Sequence, residues 1–309
     1  MTHSQELQDI EITVPGSIAN LGPGLDTLAV AIQRYLTLRV VSVNSSSHGS
    51  LEFRFFDQVP LAENRIESAF RLLAGTNRDF PSLKLEVRSE IPMGSGLGSS
   101  AAATIAGFRL YEAVFGKQSN ERLLEAALSL EGHCDNAAAS LLGGLAVCCQ
   151  QQDGSAIAFS LPWPESLRLI VLTPAISLST GTSRQALPQV VPLKDAVGNM
   201  QRVLLLMHSI QNDDDSMLAE AVRDRLHQPA RESLVPGLSA ALKLSHPNLL
   251  GVFLAGSGPS MVALARENCD EIEILLSQSY SPLGIPFQTA ILQAHSEAFL
   301  STTAAICCS

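Results

Sequence analysis

The sequence predicts an α+β protein with two domains, and three observations lead to this prediction. The chain has 309 residues, roughly the length of two average domains. Strand-like and helix-like segments are mixed along it, without the regular alternation of a doubly wound parallel sheet. The sequence pattern also changes after the turn signal Asp153-Gly154. We therefore expect a boundary near residues 155–170, with an N-terminal domain at 1–160 and a C-terminal domain at 161–309.

The composition excludes several classes of protein. With 46% hydrophobic and 16% charged residues, the chain can bury a large core and is not disordered. The formal net charge of −10 argues against a nucleic-acid surface, which needs clustered Lys and Arg. No apolar run predicts a membrane span, and the polar start MTHSQELQDIE does not resemble a secretory signal. The six cysteines, two adjacent pairs and two singletons, suggest neither a disulfide framework nor a zinc knuckle. We expect a reduced, cytoplasmic protein without membrane or nucleic-acid partners.

The predicted strands are short alternating or β-branched apolar segments bounded by turn residues. They are residues 11–14, ending at a Pro15-Gly16 turn, 26–43 as one or two strands, 51–56, 83–91, 167–173, 251–255, 261–265 and 287–293. Residues 44–50 (NSSSHGS) predict a loop or hairpin turn.

The predicted helices have apolar residues at a spacing of three and four. They are residues 64–74, 99–115, 121–130, 193–210, 217–226 and 231–244.

The segment PMGSGLGSSAAA, residues 92–103, predicts a phosphate-binding loop. Gly94, Gly96 and Gly98 let the backbone adopt positive φ and approach a ligand closely. We expect Ser99 and Ser100 to cap the helix that follows, whose N-terminal amides would bind an anion. The alternative is a strand–turn–helix connection with small residues for packing.

This loop does not match other known patterns. A Walker loop ends in Gly-Lys-Ser/Thr, and no lysine lies between Lys84 and Lys117. The glycine spacing does not fit a dinucleotide fingerprint, and the residues about twenty further on are still helical in pattern. The serine-hydrolase elbow G-x-S-x-G is absent at Ser95 and at Ser257. A bound polyphosphate would therefore be balanced by backbone dipoles, hydroxyls and a metal ion.

Three further segments carry polar residues beside glycine turns. In PGSIANLGPGLD, residues 15–26, Asn20 and Asp26 either bond their own turns or face a pocket for a small hydroxylated or amino-bearing ligand. In EGHCDNAAASLLGG, residues 131–144, a carboxylate could hold Mg²⁺ beside a nucleotide, or the cluster could be structural. Adjacent His133 and Cys134 are poor geometry for zinc. LAGSGPSM, residues 254–261, is either a close-approach loop or a hairpin turn.

Together these segments resemble the GHMP kinases, the small-molecule kinases of galactose, homoserine, mevalonate and phosphomevalonate. PGSIANLGPGLD, PMGSGLGSSAAA and GVFLAGSGPSMVAL are similar to the family's three motifs and occur in their order. Within the family, the chain most resembles the homoserine kinase branch, on EGHCDNAAASLLGG, DRLHQPARESLVPG and KDAVGNMQRVLLL. The resemblance covers nearly the whole chain. It implies an N-terminal domain like ribosomal protein S5 domain 2, a ferredoxin-like C-terminal domain, and a site in the cleft.

The resemblance also implies a reaction and roles for residues. The reaction would be transfer of the γ-phosphoryl group of ATP to the side-chain hydroxyl of L-homoserine, on the way to threonine. Asn20, Asp26, His133, Asp135 and Asn136 would line the amino-alcohol end of the substrate, with Asp135 and Asn136 positioning the hydroxyl. The ATP-binding loop would comprise Pro92, Met93, Gly94, Ser95, Gly96, Leu97, Gly98, Ser99, Ser100, Ala101 and Ala102.

The remaining roles concern the metal ion, the γ-phosphate and the substrate carboxylate. Ser100 and Glu131 would hold Mg²⁺, and Thr180 would lie near the γ-phosphate. Arg184 and Arg231 would grip the carboxylate, which a planar guanidinium binds bidentately. Whether a general base takes part is left open. The sequence does not give the oligomeric state, and a homodimer is one assembly that we consider.

Two departures from the branch leave room for other functions. The branch reads His-Pro-Asp-Asn-Val where this chain has His133-Cys134-Asp135-Asn136-Ala137, and Gly-Phe-Asp where it has Gly24-Leu25-Asp26. Neither change removes a reacting group. The alternatives are another GHMP kinase with a mevalonate- or sugar-type substrate, and a non-catalytic metabolite sensor on the same fold. The presence of Ser99, Ser100 and Glu131 argues against a sensor, and an amine-binding pair of Asp26 and Asp135 would favour homoserine.

Overall fold

The computed structural model describes residues 7–57, 63–77 and 79–296 of the chain. Its strands form two sheets with helices packed against them, so the predicted α+β class is confirmed. The first sheet ends at Leu161 and the second begins at Arg168. This change of sheet supports the division at 1–160 and 161–309, which stays a proposal. Cys307 and Cys308 lie outside the described residues.

The first sheet is built around one long strand. Its strands are β1 (Glu11–Asn20), β2 (Gly24–His48), β3 (Leu51–Phe55), β4 (Pro81–Ser89), β5 (Leu145–Gln150) and β6 (Ala156–Leu161). The order is β3-β4-β2-β5-β6, with β1 paired to β2, and only β3 and β4 run parallel to each other. Because β1 and β2 are joined by a tight turn at residues 21–23, Asn20 and Asp26 lie at the same edge of this sheet.

The second sheet is a four-stranded antiparallel sheet. Its strands are β7 (Arg168–Pro174), β8 (Gly251–Leu254), β9 (Met261–Ala265) and β10 (Phe287–Leu292), in the order β10-β7-β9-β8. After β10 the chain returns to the first sheet through a bridge between Ala294 and Ile32. One large apolar core includes residues of both sheets, such as Val30 and Val262, so the two halves pack as one body.

Ten α-helices that lie wholly within the described part of the chain accompany the sheets. They are α1 (Arg65–Ala74), α2 (Ser99–Phe115), α3 (Asn120–Glu131), α4 (Asp135–Leu142), α5 (Thr180–Gln185), α6 (Leu193–Asn212), α7 (Leu218–Ala221), α8 (Gln228–Arg231), α9 (Leu238–Ala241) and α10 (Cys269–Tyr280). The helix α2 crosses α1 closely, because a Cβ at Gly107 would lie 2.2 Å from the carbonyl oxygen of Ile66. None of the described helices is long and apolar enough to span a membrane.

The helices predicted at 217–226 and 231–244 are wrong in length. In this region the structure has a 3-10 helix at Asp215–Met217 and the one-turn helices α7, α8 and α9. The Asp224 carboxylate accepts hydrogen bonds from the backbone N–H groups of Leu226, His227 and Gln228, which ends one helical run and starts another. Farther along, Pro236 cannot donate a backbone hydrogen bond and Gly237 has a φ of 81°, so the second run is also interrupted.

Strand limits also differ from the prediction. Pro15-Gly16 is not a turn, because β1 continues through it with a register shift to Asn20. Pro15 is tolerated there because β1 pairs with β2 on one side only. Residues 26–43 belong to one strand, which runs on through most of the predicted 44–50 loop. The sequence analysis assigned no element to α4, β5, β6, α5 or α10.

Candidate active site

A cleft of about 780 Å³ lies where segments of both sheets meet. Its lining comes from the turn between β1 and β2, the glycine loop before α2, the end of α3, the start of α4, the segment around α5, the end of α8, and the turn between β8 and β9. The lining residues are Ala19, Asn20, Leu25, Asp26, Gly94, Gly96, Gly98, Ser99, Ser100, Ala101, Glu131, His133, Asp135, Asn136, Ala137, Leu178, Thr180, Arg184, Arg231, Gly256 and Ser257. Segments distant in sequence therefore meet here.

Most of the residues that we predicted for the site line this cleft. The exceptions are Pro92, Met93, Ser95, Leu97 and Ala102, all of them in the predicted ATP-binding loop. Ser95, Leu97 and Ala102 are buried away from it. The Ser95 hydroxyl donates a hydrogen bond to the Pro92 carbonyl at 2.7 Å, and the Leu97 carbonyl accepts one from the backbone N–H of Ser17 at 3.1 Å. These contacts hold the loop in place and leave its glycines and the start of α2 facing the cleft.

The start of α2 has no side-chain cap. Gly98 is the N-cap residue, with a φ of 75°, and neither Ser99 nor Ser100 caps a backbone N–H group. The expected serine caps are therefore wrong, because Gly98 holds the N-cap position and both serines lie inside the helix. The Ser100 hydroxyl bonds Glu131 instead. Ser99, Ser100 and Ala101 line the cleft. Uncapped amides at the positive end of a seventeen-residue helix form a favourable site for an anion.

The loop glycines are required by contacts within the protein. Gly96 has a φ of 83°, and a Cβ there would lie 2.3 Å from the Ala255 carbonyl oxygen. At Gly98, with a φ of 75°, a Cβ would lie 2.2 Å from the Ser17 Oγ. The sequence analysis attributed these glycines to close approach of a ligand. The structure shows that they also let the loop pack against the β1 and β8–β9 segments.

Ser100 and Glu131 form a pair of oxygen donors beside this loop. The Ser100 Oγ donates to Glu131 Oε1 at 2.6 Å, although the two residues lie 31 positions apart in sequence. Thr104 donates to the same oxygen at 3.2 Å, and the Arg65 Nε lies 3.6 Å from it. The sequence analysis missed Thr104 and Arg65, which have no motif signal. A hydroxyl and a carboxylate this close together fit a hard divalent cation.

At the other end of the cleft, acidic and imidazole groups converge. One ligand atom from each of Asp26, His133 and Asp135 lies within 4.8 Å of the other two. The His133 Nδ1 is 2.6 Å from Asp135 Oδ1, which also accepts from the Asn136 backbone N–H at 2.7 Å. Burial lowers the pKa of His133, but the hydrogen bond and charge of Asp135 outweigh it, so the pKa is raised overall. This group can surround a small cation.

The backbone that carries His133 and Asp135 differs from the pattern of the resemblance. Cys134 precedes α4 with a φ of −121°, outside the range that a proline ring allows. Its buried thiol is hydrogen-bonded to Cys148, which itself donates to the Asp26 carbonyl at 3.6 Å. This hydrogen bond lowers the pKa of Cys134 although burial opposes it. With cysteine in place of the proline, Asp135 and Asn136 still line the cleft.

Two arginines face this acidic group. Arg184 forms a bidentate ion pair with Asp26, with N–O distances of 2.6 and 3.1 Å. Arg231 is only 2% exposed and donates to the Gly256 carbonyl at 3.1 Å. Burial, together with the positive charge of Arg184, lowers the pKa of Arg231 to about 10. Burial makes the positive charge of this guanidinium costly. An anionic ligand would stabilise the charge in place of the water that burial removes.

Several polar residues complete the cleft. Asn20 donates to the Gly256 carbonyl at 2.9 Å and accepts from the Asp26 backbone N–H at 3.3 Å. Asn136 accepts from the Ser17 hydroxyl at 2.9 Å. Thr180, the first residue of α5, is exposed at the cleft wall. The sequence analysis missed Ser17 and Ser257, although the glycine turn that contains Ser257 was noted as a candidate close-approach loop.

The arrangement has two chemically different ends. One offers helix amides and a pair of oxygen donors, which suits a polyphosphate with a divalent cation. The other offers carboxylates and arginines in contact, which suits a small ligand carrying both charges. The same cleft is also lined by Asp135, Asn136 and Thr180. Side chains there could position a chemical group for transfer from a ligand at one end to a ligand at the other.

Comparisons of the sequence and of the structure with known proteins agree with one another. The model of the GHMP kinases N terminal domain matches residues 64–144. A homoserine kinase of Solibacter usitatus is 34% identical over 277 residues, covering 87% of this chain and 89% of that protein. A homoserine kinase of Aquifex aeolicus is 33% identical, covering 93% and 98% of the two chains. The crystal structure of homoserine kinase from Cytophaga hutchinsonii aligns with a TM-score of 0.81 at 25% identity, covering 94% and 96%.

Proposed function

The chain belongs to the homoserine kinase family of the GHMP kinases, and we propose that its cleft transfers the γ-phosphoryl group of ATP to the side-chain hydroxyl of L-homoserine. The expected resemblance and the GHMP kinase fold are thereby confirmed, and the chain is an ATP-dependent small-molecule kinase. One observation carries the assignment of the cleft. The glycine loop, the carboxylates and the two arginines, which are far apart in sequence, line one cavity.

The triphosphate of ATP is assigned to the glycine loop and the start of α2. The backbone amides of Ser99, Ser100 and Ala101 are available there because no side chain caps the helix. The helix dipole supplies positive charge that a Walker lysine supplies in other kinases. Within residues 92–102, Ser95, Leu97 and Ala102 would act through their backbone or through packing, since their side chains are buried.

We propose that the divalent metal ion is Mg²⁺ and that Ser100 and Glu131 hold it. The two side chains are already in contact, and they supply the oxygen ligands that a hard cation prefers. When bound, the ion would neutralise charge on the phosphates. Thr104 and Arg65 contact the same carboxylate oxygen and would hold Glu131 in place.

The amino acid is assigned to the opposite end of the cleft. Its ammonium group would face Asp26, Asp135 and His133, and its carboxylate would face Arg184 and Arg231. The Asp26–Arg184 ion pair supports this assignment, because its two charges match the two charges of a zwitterion. Asn20, which bonds the Asp26 backbone N–H and the Gly256 carbonyl, would keep this wall rigid.

The residues of the cleft would catalyse the reaction mainly by positioning the substrate hydroxyl and the γ-phosphate. Phosphoryl transfer has a loose transition state, so alignment and charge neutralisation contribute most of the rate. Asp135 and Asn136 would hold the substrate hydroxyl, and Thr180 would contact the γ-phosphate. Asn136 is oriented by the Ser17 hydroxyl and Asp135 by His133, so both side chains are pre-arranged. No residue is assigned as a general base.

The experiment that tests the function is ADP release measured with Mg-ATP against a panel of acceptors. The panel contains L-homoserine, D-homoserine, L-threonine, L-serine, mevalonate and galactose. We expect turnover confined to L-homoserine, because mevalonate lacks the ammonium group and galactose lacks both charges. Turnover on mevalonate or galactose would reassign the chain to a sister branch. ATP binding without turnover on any acceptor would favour a sensor.

We further propose that the protein is a homodimer of the cytoplasm. Leu193, Val197, Met200 and Leu204 follow the three-and-four spacing of one helix face, and they are 78%, 36%, 59% and 70% exposed. The antiparallel packing of two copies of α6 would cover this face. The four cysteines in the described part of the chain are free thiols, which supports a reducing compartment.

A further inference from the structure

A buried chain of hydrogen bonds lies behind Arg231, outside the cleft. His227 has no exposed surface and Arg231 is 2% exposed. The two residues are four positions apart around α8, so their side chains lie on one face. The Arg231 Nη1 and the His227 Nδ1 are 2.9 Å apart, and the His227 Nε2 is 2.6 Å from the Gly22 carbonyl oxygen. This chain links the arginine to the turn between β1 and β2.

The partners determine the tautomer of His227. An arginine guanidinium can only donate hydrogen bonds, so the Nδ1 must accept. A carbonyl oxygen can only accept, so the Nε2 must carry the proton and donate it to Gly22. Both interactions hold only for the neutral imidazole. Burial lowers the pKa of His227, although the charge of Asp224 opposes this, and the neutral form is therefore favoured.

Asp224 fixes the position from which His227 projects. Its side chain is fully buried, and Oδ2 accepts from the backbone N–H groups of His227 and Gln228 at 2.8 and 2.7 Å. Its Oδ1 accepts from the Asn199 Nδ2 at 2.6 Å. Asn199 also donates to the Pro23 carbonyl at 3.3 Å, next to Gly22. The imidazole is thus held from its backbone and from both ring nitrogens.

The remaining contacts of Arg231 orient one nitrogen toward the cleft. Its Nη1 also donates to the Gly256 carbonyl at 3.1 Å, and its Nε approaches the Ser183 carbonyl at 3.4 Å. Among the described residues, no hydrogen-bond partner is assigned to Nη2. Because Arg231 lines the cleft, this nitrogen is the one that remains for a ligand.

We propose that His227 is a positioning residue, which holds the Arg231 guanidinium in the orientation that binds the carboxylate of the amino-acid substrate, and that Asp224 and Asn199 keep His227 in place. This inference rests on the proposed role of Arg231 in carboxylate binding. It adds that the neutral acceptor at His227 Nδ1 sets the affinity of the site for the amino acid and leaves the ATP end unaffected.

The test compares two isosteric substitutions. In His227→Asn, the side-chain oxygen can replace the Nδ1 acceptor, so Arg231 keeps its partner while the bond to Gly22 is lost. In His227→Gln, the amide can replace the Nε2 donor, so the bond to Gly22 is kept while Arg231 loses its partner. We expect His227→Gln to raise the KM for L-homoserine by about tenfold or more, and His227→Asn by less than about threefold. The KM for ATP is expected to stay within about twofold in both variants.

A double-mutant cycle separates this inference from the function on which it rests. Arg231→Ala is expected to raise the KM for L-homoserine by at least about thirtyfold, and adding His227→Gln should raise it by less than about twofold more. The exposed His208 supplies the matched control, and His208→Gln should behave like the wild type. An unchanged KM in Arg231→Ala would overturn the carboxylate assignment. An effect of Arg231→Ala together with additive losses, or with equal losses in the Asn and Gln variants, would overturn the role of His227 alone.

Discussion

At the scale of single residues, the site is built from ordinary side chains whose properties are set by their neighbours. Ser100 is an exposed serine, and its hydroxyl donates a hydrogen bond to Glu131 at 2.6 Å. Burial gives Arg231 a pKa of about 10, below that of an exposed arginine. The sequence indicated the types of these side chains, because a hydroxyl, a carboxylate and a guanidinium each suit one partner of the reaction. Their contacts could not be predicted from single positions.

The Ser100–Glu131 pair can be tested by changing the hydroxyl. Ser100→Ala removes one proposed ligand of the metal ion and leaves the carboxylate. We expect the free Mg²⁺ concentration at half-maximal rate to rise by about tenfold, with a smaller change in the KM for L-homoserine. The rate is measured against free Mg²⁺ at saturating ATP. Ser129→Ala, on the exposed side of α3, is the control, and an unchanged Mg²⁺ requirement in Ser100→Ala would remove Ser100 from the metal site.

The depressed pKa of His227 predicts a loss of stability in acid. In the unfolded chain the imidazole binds a proton below a pKa of about 6.5, whereas the buried imidazole stays neutral to lower pH. Its contribution to stability is therefore fully present above that pH and decreases as the pH falls. The charged groups that face it are Asp224, Arg231 and Asp26.

The measurement is thermal or urea unfolding of the wild type and of His227→Asn between pH 7.5 and 5.5. We expect the wild type to lose more stability over this range than the variant. The difference should be at most about 1.4 kcal/mol for each pH unit below 6.5. Parallel curves for the two proteins would contradict the neutral, buried state of His227.

At the scale of elements, the predicted loop and helices show which signals are local. Asn64 caps α1, and the helix α2 has the bounds that its small-residue run predicts. Both follow from residues close in sequence. The one-turn helices between residues 218 and 241 were not predicted, because the Asp224 carboxylate captures backbone N–H groups that the periodicity assigned to a helix. Competition between a side chain and the helix is decided by tertiary contacts.

The glycine loop predicts a large effect for one small substitution. Gly96→Ala places a Cβ 2.3 Å from the Ala255 carbonyl oxygen and 2.9 Å from that of Gly258, at a φ of 83°. Gly154→Ala is a matched control, because its φ is 87° and a Cβ there has no atom within 4 Å. We expect about 1 kcal/mol of destabilisation for Gly154→Ala and at least about 2 kcal/mol more for Gly96→Ala.

Urea unfolding measures the first effect, and nucleotide binding measures the second. Because the loop packs on the β8–β9 turn, the shift that relieves the Gly96→Ala clash should also weaken ATP binding. Gly154→Ala lies in the turn between β5 and β6 and should bind ATP normally. Equal stability losses in the two variants would show that the loop does not depend on close packing at Gly96.

At the scale of the whole molecule, the cleft exists because segments of the two halves pack against each other. The return of the chain at Ala294 to Ile32 and the shared apolar core hold the halves together. Arg184 reaches Asp26 across 158 positions of sequence, and this contact depends on the packing of both halves. The resemblance predicted that the site lies in the cleft, and the packing of the sheets explains why the motifs meet there.

The exposed face of α6 predicts the oligomeric state. Leu204→Glu places a charge on the face that the second copy would cover, and we expect this variant to become monomeric. Light scattering at several protein concentrations measures the mass. Gln201→Glu, at an exposed polar position of the same helix, is the control and should stay dimeric. A wild type that is monomeric at all concentrations would overturn the dimer.

Local sequence patterns were sufficient to predict the α+β class, the helix α2, the glycine loop and the types of side chain that the reaction needs. These follow from periodicity, turn chemistry and motifs, which are properties of neighbouring residues. Which of these residues meet depends on the tertiary structure. The pairs Arg184–Asp26 and His227–Gly22 lie 158 and 205 positions apart, and the packing of the two halves brings them within hydrogen-bond distance. The pair Ser100–Glu131 lies 31 positions apart, and the packing of α2 against α3 within the first half brings it together. The tertiary structure also determines which groups are buried. Burial lowers the pKa of His227 and of Arg231, because the cost of a buried charge depends on the groups that surround it.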